Sequence, residues 1–499
     1  MIAKRRLSLG LVIGIFGIIY CSISLVNHYL FRTYGWDLGI INNSMFDYAH
    51  FRWNNAEILY PNFKFDNLLG DHFTLYPVII SPLYWIFGSY TLLLFQVAAI
   101  LWGGFGVYKF VYQLNSNHRL ALLACIQFFS IFGIYTALGF DYHDNVVAAM
   151  LVPWFLYYFH QEKWIQSFIY LVLILIGKEN MALWAFFICI GTMLLYYKSK
   201  KKIIWSGTFA IISILYFIGI MHLIPKLSAG QPHYVHWDFS ALGANMKEVV
   251  VSVITHPQHA FTLLFENHLS VPDGIGSKSE LHFIVLLSGG IALIYRPQFL
   301  IMLLPIYGQK LFNDLYVRWG VCSHYSVEFA PILAIATAWL INDLSLKVNK
   351  KFWLALAFTV LSVSATISIL DHRVSKWFNL ENERFYDKRH WTQSYDVSLV
   401  YKNLYLIPEN ASLSAQSMLC PHLAFRDKIY HYPYIGDAEY IALLPLDLNV
   451  YPLSPTEYQQ KIEELRKNPN WEIAFDNGVL LIFKRASNNI EIQSDKSIN

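Results

Sequence analysis

Charge is scarce in this chain. Only 14% of its 499 residues are Asp, Glu, Lys or Arg, against roughly 25% in an ordinary soluble domain, which excludes a fully solvated globular protein. Net charge is +3, and no basic run is interleaved with aromatics, so a nucleic acid would find neither a phosphate track nor a stacking platform. The five cysteines form no close pair, which removes a redox CxxC and a zinc ribbon. Also missing are GxxxxGK[ST], a Gly-rich fingerprint behind a strand, HExxH, and an Asp-any-Asp pair for a metal–nucleotide diphosphate.

What the chain has in quantity is apolar surface: 56% hydrophobic and 17% aromatic residues. Apolar runs approaching the length that crosses a hydrocarbon core of about 30 Å recur along it. Candidate spans are residues 7–26, 91–113, 119–137, 146–160, 164–177, 181–197, 203–223, 281–295, 299–312, 327–344 and 352–370. The start, MIAKRRLSLGLVIGIFGIIY, has the basic and apolar regions of a signal peptide without a small-residue cleavage site, and reads as a retained first span. Residues 73–87 are apolar but short and carry Pro77 and Pro82, so they read as interfacial or re-entrant. With that segment not crossing, Lys4, Arg5, Arg6, Arg119, Lys163, KSKKK (198–202), Arg296 and Lys347, Lys350 and Lys351 fall on one side, as the positive-inside rule requires of short cytoplasmic loops. The unusual polar clusters then face the other side. Labelling from outside at cysteines placed at Asn43, Asp144 and Ser414, with Ser199 protected, is the corresponding expectation.

From about residue 371 the composition becomes that of an ordinary soluble domain. SPTEYQQKIEELRKNPN carries Ser454 and Glu457 in capping-box order, with Tyr458, Ile462 and Leu465 on one helical face. WEIAFDNGVLLIFKRA reads as two strands joined at Asp476-Asn477-Gly478. Cys322 and Cys420 share this outer side, which leaves a disulfide between them open. Expected, therefore, is an α-helical polytopic membrane protein with about eleven transmembrane helices over residues 1–370, a first extracytoplasmic loop at 27–90, and a small extracytoplasmic α/β domain at 371–499.

Five places carry the chemistry. Asp37, in YGWDLGIINNSMFDYAH, stands at a membrane edge just before an amphipathic helical pattern; it is an N-cap or a general base. Asp71-His72 is a cap with a wet histidine, or His72 meets a phosphate or acceptor. In FDYHDN, Asp141, Tyr142, His143 and Asp144 can bind sugar hydroxyls, raise the histidine pKa or hold a metal. Lys178-Glu179 interrupts an apolar stretch, where each charge costs about 2.5 to 3.5 kcal/mol at a helix centre and less near an interface. The pair is either self-neutralising, or Lys178 is held for an anion. Arg318, with His324 and Tyr325 in SHYS, shares that task or is a loop charge.

YGWDLGIINNSMFDYAH, GDHFTLYPVIISPLYWIFGSYTLLLFQ, GFDYHDNVVAAML, GKENMAL and SHYSVEFAPIL, in that order, resemble an uncharacterised family of prokaryotic membrane proteins known as a domain of unknown function. That family in turn looks like the GT-C class of integral-membrane glycosyltransferases, over most of residues 7–370. The resemblance implies inverting transfer of a hexosyl or pentosyl group from a polyprenyl-phosphate donor to a glycan, lipid or protein acceptor. Transfer would take place at the extracytoplasmic face of the prokaryotic plasma membrane, with the N-terminus cytoplasmic. By position, Asp37 matches the base of the first loop, although it stands alone where GT-C sequences commonly have two adjacent acids. His72, Asp141, Tyr142, His143, Lys178, Glu179, Arg318, His324 and Tyr325 are then substrate-binding candidates. A lipid-borne donor needs no nucleotide motif. No metal or other cofactor is required, and the FDYHDN carboxylates keep a divalent ion open. A transporter or flippase is the alternative, one that normally needs polar or broken helices near the midplane.

Overall fold

In hydrocarbon a backbone satisfies its N–H and C=O groups only within itself, which selects helices, and helix occupies each of the eleven apolar segments. The computed structural model describes residues 2–228, 234–375, 380–447 and 449–486. Among the described residues, five helical runs are long and apolar enough to cross a bilayer: Arg6–Tyr29, Tyr76–Asn115, Lys200–Leu227, Pro272–Tyr295 and Val348–His372. His118–Phe129 and Phe132–Leu138, bent by 44° at their junction, make a sixth if counted as one span. Trp164–Leu175, Glu179–Leu195 and Phe329–Asp343 are apolar but shorter. At 1.5 Å per residue, helices of this size reach about 18 to 26 Å, less than a hydrocarbon core. Length and composition thus identify about five crossings, where the sequence reading counts eleven.

The segment around Pro77 and Pro82 does not form a separate span. Each proline opens a new helical turn, giving Tyr76–Ile80, Ser81–Leu83 and Tyr84–Phe87, which lead through Gly88–Tyr90 into Thr91–Asn115. A proline at the first turn loses no intrahelical bond but cannot continue the turn before it.

Helix Phe329–Asp343 is buried almost all round and is rich in alanine, which lets neighbours approach closely. Helices Thr91–Asn115 and Asp144–His160 pack against it. In the longest outer helices, Ile2–Tyr29, Lys200–Leu227 and Val348–His372, Leu11, Ile18, Ile204, Ile211, Leu215 and Trp353 point outward. Apolar side chains in that position are stable only against lipid or another apolar surface.

The C-terminal part follows its sequence signals closely. Helix Pro455–Lys467 begins at Ser454 with the full capping box to Glu457, and Tyr458, Ile462 and Leu465 are buried. Strands β1 (Leu413–Ala415), β2 (Ile429–His431), β3 (Tyr440–Leu443), β4 (Trp471–Asp476) and β5 (Leu481–Arg485) form one sheet in the order β2-β1-β3-β5-β4. β1 pairs with β2 and β3 in parallel, and β5 pairs with β3 and β4 antiparallel. Alternation along the strands divides the sheet into two faces. Ile441, Leu443, Leu481 and Phe483 meet the 455–467 helix. Leu413, Ala415, Ala442 and Ile482 face the other way and share a core with Leu30, Phe31, Ile40, Ile58 and Phe65 of the first loop. The first loop is therefore built against the C-terminal sheet. Asn43 donates from Nδ2 to the carbonyls of Ala424 (2.8 Å) and Arg426 (3.0 Å), and Gly35 N–H donates to Ser417 Oγ (3.1 Å).

All five cysteines are free, so Cys322 and Cys420 are not joined. The fold also moves the topology test. Asn43 (4% exposed), Ser414 (0%) and Asp144 (7%) are buried, and a thiol at any of them would be shielded whichever side it faced. Asn55, Glu409 and Lys200 are exposed. A membrane-impermeant maleimide is expected to label Asn55→Cys and Glu409→Cys in intact cells and Lys200→Cys only after permeabilisation. Labelling of Lys200→Cys in intact cells contradicts the orientation.

Candidate functional site

The sequence DLGI places Asp37 just ahead of the helix Ile40–Ala49, but the carboxylate does not cap it. Residues Gly35–Gly39 form a π-helical turn capped by Tyr34, and Gly39 occupies the cap position of the helix that follows. Asp37 is left projecting toward the FDYHDN loop, where its Oδ1 lies 3.4 Å from His143 Nε2. His143 stacks on His324, with ring centroids 3.5 Å apart, and His324 packs against Tyr325 at 4.1 Å.

Two buried side chains hold this loop in place. Asp141, in the left-handed region at φ 56°, accepts the Tyr34 N–H at 2.8 Å. Gln96, fully buried in helix Thr91–Asn115, donates from Nε2 to the Asp141 carbonyl and accepts the His143 N–H at Oε1, both at 2.9 Å. Burial, reinforced by the charge of Asp37, pushes the Asp141 carboxyl well above the usual carboxylate range.

A second cluster assembles around Glu179, the first residue of helix Glu179–Leu195. It accepts from Phe73 N–H at 3.0 Å, from His72 Nδ1 at 2.9 Å and from the Tyr234 hydroxyl. Burial, with the charges of Lys178 and His236 beside it, pushes His72 down to about 4, so near neutral pH the Nδ1–H is a neutral donor. His236 stacks on His72 at 4.2 Å and places Nε2 2.7 Å from Asp71 Oδ1. The self-neutralising alternative for Lys178-Glu179 is not what forms. Glu179 is occupied by these three donors, and among the described residues no carboxylate lies within 4 Å of the Lys178 ammonium. Its charge nevertheless reaches Asp71, Asp144, Glu179 and Glu328 together with His72, His143 and His324.

These groups line one cavity of about 450 Å³. Of the ten residues singled out from sequence, Asp37, His72, Tyr142, His143, Lys178, Glu179, Arg318, His324 and Tyr325 are on its wall, while Asp141 is not. Asp141 lies behind the wall and secures the backbone. Arg318 pairs with Asp238 at 3.3 Å and lies over the Tyr325 ring at 5.4 Å. Leu183, Phe217, Met221 and Ile306 supply an apolar side.

Over residues 27–481 the chain matches the family described as predicted membrane protein (DUF2079). It belongs to that family. No curated protein matches it. The DUF2079 site contains several groups that sequence reasoning passed over. Gln96, Tyr234 and His236 carried no motif. Lys310 and Glu328 are both buried at the cavity, with Lys310 donating to the Gly320 carbonyl (2.7 Å) and Glu328 accepting from Asn145 Nδ2 (2.7 Å). Their signal was present, since ionisable residues inside or beside an apolar run are costly and mark function or tight pairing.

The stacked histidines make stability depend on pH. Burial lowers His143, with Lys178 adding to the effect and Asp37 opposing it; burial also lowers His324, with His143, Lys178, Arg318 and His72 adding to it. An unfolded chain protonates both rings as pH falls below 6.5, while the folded stack resists. Their contribution is therefore complete above that pH and is lost below it. The Tm of the purified protein is expected to fall on acidification, with a shallower slope in His324→Phe, which keeps the stack. Gln96→Leu should lower Tm at every pH, because each backbone group it leaves unpaired costs about 1–3 kcal/mol. Unchanged melting in Gln96→Leu would rule out its role in holding the loop.

Proposed function

We propose that this protein is an integral-membrane glycosyltransferase that moves a sugar from a polyprenyl-phosphate carrier to an acceptor at the extracytoplasmic face. The observation that carries this reading is that Asp37 and Lys178, 141 positions apart in the chain, line the same cavity. One is a carboxylate lying against His143 and the other a cation with no carboxylate partner among the described residues.

In the proposed reaction an acceptor hydroxyl oxygen attacks the anomeric carbon, and the bond from that carbon to the phosphate oxygen breaks. The hydroxyl proton passes to Asp37, and polyprenyl phosphate departs with the bonding pair. Attack opposite the leaving group inverts the anomeric centre. Lys178 offsets the charge that grows on the departing phosphate, helped by the N-terminus of helix Glu179–Leu195, whose peptide dipoles favour an anion. In this reading His143 and Tyr142 meet sugar or acceptor hydroxyls. The apolar wall suits the first isoprene units.

An eleven-crossing topology belongs to this proposal. Chain reversal between successive helices would place Asp37, His143, Lys178 and Arg318 on connections at one end of the bundle. A transporter needs access from both ends, and a single-ended polar cluster does not favour one.

The test is transfer of labelled sugar from polyprenyl-phosphate donors in membranes containing the wild type or a variant at matched levels. Asp37→Asn is expected to lower the rate by about 10² to 10⁴, the usual contribution of a general base. Lys178→Ala should lose most activity, with partial recovery in Lys178→Arg. Full activity in both Asp37→Asn and Lys178→Ala would refute the assignment. Carrier-linked substrate that crosses the membrane unchanged, with no new glycosidic bond, would favour the transporter.

A further inference from the structure

We propose that Asp71, His72 and His236 form a binding site for one divalent first-row transition-metal ion on the wall of the cavity. Each offers a donor atom, and the three atoms lie within 4.8 Å of one another, the only such group of His, Cys, Asp or Glu among the described residues. The sequence required no metal and left one open only at FDYHDN; there, among the described residues, Asp37 and His143 make a pair without a third donor.

Two imidazoles and one carboxylate are a borderline donor set. It suits zinc, manganese, iron or cobalt, and is poor for magnesium or calcium, which favour oxygen ligands. The surroundings are those of a supported site. Glu179 accepts the His72 Nδ1–H at 2.9 Å, which fixes the tautomer and leaves the Nε2 lone pair free; among the described residues nothing bonds to that atom. A carboxylate behind a ligating histidine is the usual outer-shell partner. Tyr234 and Phe73 N–H in turn hold Glu179. His236 is set by its ring stack on His72, 4.2 Å away. Asp71 is part-buried and lies 2.7 Å from His236 Nε2, a separation that two neighbouring ligands of one ion also adopt. Lys178 opposes a cation here, but the Asp71 and Glu179 carboxylates outnumber it locally. Three protein ligands leave coordination positions open to the cavity. The ligand class for these is an oxyanion such as phosphate, and in that respect alone the inference rests on the function proposed above.

The test uses the purified full-length chain, stripped with a chelator, offered Zn²⁺, Mn²⁺ or Co²⁺ singly, desalted and analysed for metal. About one equivalent per chain is expected in the wild type and at least tenfold less in His236→Ala and Asp71→Asn. Glu179→Gln should weaken affinity by about 10- to 100-fold, as loss of an outer-shell partner does. His50→Ala, at an exposed histidine away from the cavity, should change nothing. Because His236→Ala also removes the ring stack on His72, His236→Cys is the second variant. It should retain Co²⁺ and show a thiolate-to-metal charge-transfer band. No retained metal in the wild type, equal retention in wild type and His236→Ala, or no such band in His236→Cys overturns the site. The readout is metal content, so a protein that retains no metal yet transfers sugar removes this inference and leaves the function standing, and one that binds metal without transferring sugar does the reverse.

Discussion

The site depends on a buried carboxyl that never reaches the cavity. Asp141 accepts the Tyr34 N–H, and its carbonyl is bound by Gln96, whose other end takes the His143 N–H. The first loop, helix Thr91–Asn115 and the FDYHDN loop thus meet at one residue. Asp tolerates the left-handed backbone required there better than most residues do. With Tyr34 fixed, the π-helical turn that follows can aim only one way, and Asp37 comes to rest against His143. The C-terminal sheet closes the arrangement from the other side through Ser417, Ala424 and Arg426. A domain that looks separable in sequence is one wall of the support for the first loop.

Electrostatics give the cavity its polarity. Three basic side chains reach it, and two are committed: Lys310 to the Gly320 carbonyl and Ser326, and Arg318 to Asp238 and the Tyr325 ring. Lys178 is half-buried, near several carboxylates but, among the described residues, paired with none. Holding an ammonium in that state is costly unless an anion arrives to complete it. Elsewhere on the cavity wall Asp37 and the two stacked histidines form a region suited to hydroxyl groups. One region favours an anion and the other favours proton transfer, which is the division of labour that departure of a phosphate and attack by an alcohol require.

Much of this could be read before any coordinates. The capping box at Ser454, the hairpin at Asp476-Asn477-Gly478 and the break at Pro77 and Pro82 are local signals, and each appears where local chemistry puts it. Asp37, His143 and Lys178 were legible because ionisable residues at membrane edges are rarely neutral in cost. What sequence misassigned required three dimensions. Asp141 looked like a sugar ligand, yet burial turned it into a backbone anchor. Of the two readings open for Lys178-Glu179, the self-neutralising pair does not form, because Glu179 has better donors in His72, Tyr234 and Phe73. His236 was invisible because nothing in its neighbourhood announces that its loop folds back over Asp71. The count of crossings was least secure for a simple reason: helices of 12 to 17 residues are too short for length alone to decide.

The central claim is that the cavity receives a lipid-linked phosphate at Lys178. The most direct measurement is a cryo-EM structure of the wild type in nanodiscs with polyprenyl phosphate added. The account predicts phosphate density against the Lys178 ammonium, with the isoprene chain running along Leu183, Phe217, Met221 and Ile306. Lipid density elsewhere on the protein, with the cavity holding only solvent, would contradict it.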